Sequence, residues 1–212
     1  MKTLTVSREF SADRINFVVN HPEVRPWVGG IGRLDLSSMI ADQRNLLLMV
    51  DGGGCVFQWL DAGYYEVHTQ FVPEARGIEA LEAVRDALWY MFTATDAVEI
   101  VTKVPDGNLG AQGLVRSIKG TFQFHRPRAW QAADGSLTGV KYYSKTLSEW
   151  VRDETENLSQ IGDWFHGKLA EAKIRMGASN PPHDDDNAHD RYVGMACEMI
   201  GRGQLLKGVT AY

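Results

Sequence analysis

"QFVPEARGIEALEAVRDALWYMF", residues Gln70 to Phe92, decides the fold. Its first residues close an apolar, strand-like run. Pro73 and Gly77 then interrupt it, and from Gly77 the period changes. Ile78, Leu81, Val84, Leu88 and Met91 recur at helical spacing through to about Thr95, which predicts an amphipathic helix. A strand thus passes into a helix through Arg76-Gly77. A helix N-terminus presents unpaired amides and about half a positive charge, so the junction can hold a phosphate-bearing ligand or simply turn the chain.

Upstream, "NLLLMVDGGGCVFQWLDAGYYEVHTQFV" is cut by "DGGG" and "DAG" into three strands of hairpin spacing, an antiparallel meander. "LTV" reads as a short first strand. A helix from about Ser11 to Asn20 follows, capped by Ser11 or Asp13 and ended by His21-Pro22. The Pro- and Gly-rich "HPEVRPWVGGIGRLDL" reads as an irregular connection. Downstream, "AVEIVTKVP" is a strand, and Asn108 caps a helix carrying Ala111, Leu114, Val115 and Ile118. "GTFQFHRPRAW" and "GVKYYSK" are two more strands around "ADGS". The expected unit is a mixed α/β domain, Met1 to Ser144.

A helical hairpin is expected over 145–212. Thr146 and Glu149 form a capping box, and Leu147, Val151, Leu158, Ile161 and Phe165 share one helix face. A second helix runs from about Asn187 to Gly201. Trp150, Trp164 and Phe165 read either as packing against the α/β domain or the second helix, or as a docking surface.

Composition narrows the function classes. The chain has 212 residues, 44% of them hydrophobic and 23% charged, which suits a globular protein with a real core. A net charge of -5 argues against general nucleic-acid binding. Cys55 and Cys197 form no disulfide framework or zinc motif, which favours a reducing, cytoplasmic setting. Neither a signal-peptide core nor an apolar run of membrane-spanning length is seen, so export and membrane insertion are not expected. "PPHDDDNAHD" brings His183, Asp184, Asp185, Asp186, His189 and Asp190 together; it matches no metal motif and precedes a helix, so caps are expected and no metal. "DGGG" lacks the lysine of a P-loop, and "HRPR" at His125 to Arg128 suits an edge strand.

The pairing of "VPEARGIEAL" with "VPDGNLGAQGLVRSIKGTFQF" resembles the GNAT superfamily of acyl-CoA-dependent N-acetyltransferases. That family carries R/Q-x-x-G-x-A at the turn into its cofactor helix, then N-x-x-A-x-x-L-Y-x-x-x-G-F. Arg76 and Gly77 answer the start of the first motif; Asn108, Ala111, Leu114, Gly120 and Phe122 answer the second. The resemblance implies a mixed, mostly antiparallel sheet with flanking helices. "EVHTQFVPEARG", "YYSKTLSEW" and "AHDRYVGM" resemble a narrower group encoded by tailed phages, some described as head-assembly proteins.

By this resemblance, acetyl-CoA would lie on Arg76, Gly77, Ile78, Glu79 and Ala80, with its thioester against Phe71 and Val72 and Asn108 nearby. Glu66 and His68, two apart on one strand face, are the candidate bases, with Tyr143 or Tyr142 as proton donor. Glu79 stands where the family has glycine, Leu81 where it has a small residue, and Val115 where it has tyrosine. Those departures point to a phage protein of the host cytoplasm and virion that keeps the fold with weak or lost catalysis. It would bind a phage structural protein, or itself, through the C-terminal helices. The alternative is an active acetyl-CoA-dependent N-acetyltransferase.

Overall fold

The run Leu46–Val50, LLLMV, forms a strand with both faces covered, and the molecule is layered around it. Leu46 and Leu48 enter one core and Leu47 and Met49 the other, because successive strand side chains point to opposite faces. The computed structural model describes residues 4–155. In chain order these form β1 (Ser7–Glu9), α1 (Asp13–Val19), a 3-10 turn (Arg25–Trp27) and α2 (Ser37–Ala41). There follow β2 (Leu46–Val50), β3 (Gly53–Asp61), β4 (Tyr64–Phe71), a second 3-10 turn (Pro73–Ala75), α3 (Ile78–Ala94) and β5 (Glu99–Pro105). The described part ends with α4 (Leu109–Ser117), β6 (Thr121–Gln131), β7 (Leu137–Thr146) and α5 (Leu147–Thr155).

The strands make one seven-stranded sheet in the order β1-β2-β3-β4-β5-β7-β6. Every neighbouring pair is antiparallel except β4 and β5. The mixed α/β class with a mostly antiparallel sheet is therefore as expected. The meander closes tightly at "DGGG": a Cβ on Gly54 would lie 2.5 Å from Leu48 O, so no larger residue fits there. α1 and α2 cover one face with Ile15, Val18, Val19 and Ile40. α3 covers the other with Ala80, Ala83, Val84, Ala87, Leu88 and Met91.

The N-terminal elements differ from expectation in their bounds. The strand expected at "LTV" begins only at Ser7, because the Thr5 N–H and hydroxyl bond the buried Asp86 carboxylate on α3 at 2.7 and 2.8 Å. The first helix ends at Val19, where the Asn20 side chain bonds Asn16 O and Leu34 O.

β7 continues through residue 144 to Thr146, and α5 follows at once. Its capping box is formed: Thr146 N–H donates to Glu149 Oε2 at 2.9 Å, and Glu149 N–H donates to Thr146 Oγ1 at 3.2 Å. Leu147, Trp150 and Val151 are buried in the main core. The Trp150 ring lies 5.3 Å from Phe92 and edge-on to Trp89 at 5.8 Å. The expected hairpin beyond α5, with Trp164, Phe165 and the His183–Asp190 cluster, lies outside the described residues. Among the described residues no helix is long and apolar enough to cross a membrane. Cys55 is a free, fully buried thiol whose pKa burial pushes up to about 12.

Candidate active site

β4 and β5 pair over three residues only, Tyr64 to Glu66 against Glu99 to Val101. Beyond that seam they part. Val72 N–H bonds Gly52 O, so by alternation Val67, Thr69 and Phe71 turn their backbone groups towards the gap. The Thr102 hydroxyl bonds Val67 O at 2.9 Å and Arg76 Nε bonds Phe71 O at 3.2 Å. A cleft of about 870 Å³ occupies the gap. It is lined by Val67, Thr69 and Phe71 from one face of β4 and by His68 and Gln70 from the other, so it passes through the sheet. On one side it runs between α3 and α4. On the other it lies under the 24–39 segment.

The junction quoted at the outset forms one end of this cleft. Gly77 precedes α3 with φ 79° and ψ -128°, a conformation open to glycine and strained for other residues. No side chain caps the helix, so the amides of its first turn face outwards. Arg76, Gly77, Ile78 and Ala80 line the cleft there. Arg76 Nη2 also bonds Glu23 O at 3.1 Å, tying the 21–28 segment to the junction. Gly77→Ala should cost about 1–3 kcal/mol of backbone strain alone, since no atom lies within 4 Å of the added methyl. Gly113→Ala in α4, equally open, should instead stabilise by about 0.5–1 kcal/mol. Thermal melts of the two variants, shifted in opposite directions, would check this.

On the far side, Glu66, His68 and Gln70 share the β4 face turned to α1 and α2. Glu66 is buried and accepts a bond from Lys103 Nζ at 2.7 Å. His68 Nε2 lies 3.8 Å from Glu66 Oε1, too far for a hydrogen bond, and has no partner. Burial holds its pKa below the ordinary imidazole value, against the opposing Glu66 charge, so the ring is neutral near pH 7. Gln70 is 8% exposed and its Oε1 is likewise buried without a partner. Buried polar atoms ordinarily find partners, so two neighbouring ones without any are an exception on this face of β4.

The other expected site residues divide. His68, Phe71, Arg76, Gly77, Ile78, Ala80, Asn108 and Tyr143 line the cleft; Glu66, Val72 and Glu79 do not. Glu79 is exposed in the first turn of α3. Asn108 Oδ1 accepts the Ala111 N–H at 3.0 Å as the cap of α4. Val115 is buried in the cleft wall, and Tyr143 reaches the same side of the sheet from β7, packed edge-on against Phe122. Gln70, Lys103 and Trp130 were not foreseen. Gln70 could have been found by carrying the alternation of Glu66 and His68 one step further.

Several solved structures share this architecture. A spermidine N-acetyltransferase from Vibrio cholerae, solved with CoA and spermine, superposes with a TM-score of 0.58 over 69% of this chain and 98% of its own, at 15% identity. A GNAT-family acetyltransferase from Bacillus anthracis gives 0.53 over 69% and 99%, at 16% identity. No protein-family model matches the sequence, and no curated protein matches it. The fold is that of the GNAT acetyltransferases.

Proposed function

We propose that the chain binds an acyl-CoA, acetyl-CoA foremost, and transfers the acyl group to an amine. The observation that carries this reading is the through-sheet cleft, with the open N-terminus of α3 at one end and the unpartnered His68 at the other. The residues present fit the cofactor. Gly77 leaves its surroundings clear for phosphate oxygens, and Arg76 with the α3 amides supplies positive charge. Thr69 and Phe71 offer backbone groups along the gap. Bound acetyl-CoA supplies an acyl group activated as a thioester.

The remaining chemistry falls to side chains. His68 Nε2, neutral and unpartnered, takes the proton from the acceptor nitrogen. Glu66, held by Lys103, lies 3.8 Å from His68 Nε2 and sets the charge around it. Tyr143 is the proton donor on the α4 side, where Val115 offers none.

Calorimetric titration with acetyl-CoA tests the reading. Dissociation in the micromolar range, followed by acylation of an amine, is the expected result. No binding at millimolar ligand would overturn it. A second reading would then stand: a phage head-assembly or virion protein that keeps the fold without the chemistry, favoured by Val115 at the tyrosine position of the family motif.

A further inference from the structure

Charge in the cleft narrows the acceptor. Among the described residues that line it there is no aspartate or glutamate, whereas Arg76, Lys103 and Lys145 all do. Their counter-charges lie outside the lining: Glu23 beside Arg76, Glu66 beside Lys103, and Asp153 beside Lys145. The acceptor side under the 24–39 segment is walled by Val24, Trp27, Leu34, Leu36, Met39 and Trp130. Arg25 fixes this roof by donating to the carbonyls of Val28, Gly30 and Gly32 at 2.6, 2.6 and 2.7 Å. The uncharged polar side chains lining it there are His68, Gln70 and Trp130, each with a buried atom (Nε2, Oε1 and Nε1) that has no hydrogen-bond partner.

We infer that the acceptor is a monoamine carried on an apolar, aromatic-sized body, and not a polyamine. This rests on the acyltransferase reading. One amino group can meet His68 and Gln70, while the apolar body fills the space between the Trp27 and Trp130 sides. A second or third ammonium would enter an apolar chamber with no carboxylate in its lining, the neighbouring Glu66 being already paired with Lys103. Burying an unpaired charge in such surroundings is strongly disfavoured.

The experiment compares phenethylamine with spermidine on protein saturated with acetyl-CoA. The expected result is a preference for phenethylamine of roughly a hundredfold or more in kcat/KM. Gln70→Glu, which places a carboxylate in the same space, should move the ratio towards spermidine by about tenfold or more. Met39→Glu, at a half-buried position, provides the same test should the first variant fail to fold. Equal or better use of spermidine by the native protein would overturn the inference while supporting the transferase reading. Acetyl-CoA bound in the preceding titration, with neither amine bound in ligand-observed NMR, would overturn the inference alone. Failure of that titration would overturn both.

Discussion

Trp150→Ala should destabilise the protein by about 3–5 kcal/mol, the range for truncating a large buried aromatic. Trp150 is 3% exposed and touches both Phe92 and Trp89 near the end of α3. Leu147 and Val151, fully buried on the same helix, leave the neighbourhood little room to collapse into the space. Urea denaturation followed by far-UV circular dichroism would measure the loss. A change below about 0.5 kcal/mol, typical of surface positions, would mean that α5 is an appendage and not part of the core. Trp150→Phe should recover most of the stability by keeping a ring against Phe92.

His68→Ala should lower kcat by about 10²- to 10⁴-fold, the usual contribution of a positioned base, with acetyl-CoA affinity nearly unchanged. Its pH profile makes the test sharper. Because burial depresses the His68 pKa, the neutral, competent form persists below the ordinary imidazole value of about 6.5. Activity of the native protein should therefore hold down to a lower pH than a free imidazole would allow. The linkage has the matching sign. The unfolded ring takes up a proton first as pH falls, so stability should drop as pH descends from about 6.5 through the folded value. A residual kcat within tenfold of native would remove His68 from the mechanism.

The parts of the fold legible in sequence were those written in local patterns. The Val84, Leu88 and Met91 part of the α3 stripe, the glycine turns at Gly52 and Gly63 and the Asn108 cap each depend on a few neighbouring residues and appear where the spacing puts them, whereas Ile78 at the head of the stripe is exposed. The site was legible only along β4 and α3, where alternation and helix period fix which way residues face. Its other wall was not, because Trp130 meets the 24–39 roof through tertiary packing. A Cβ on Gly29 would sit 3.4 Å from the Trp130 ring, an approach that no periodicity announces. Thr5 was misplaced for a similar reason, since its partner Asp86 lies 81 residues away.

The short seam between β4 and β5 has a mechanical consequence. Four strands lie on one side of it and three on the other, and apart from the short edge pair β1–β2 the pairing within each group runs longer than the three residues that join them. Backbone pairing is therefore sparse at the joint. Articulation about Tyr64–Glu66 would break no ladder on either side, and would stretch the bond from Thr102 to Val67 O and the Lys103–Glu66 pair. Amide exchange should then be fastest at the joint and slow on both flanks.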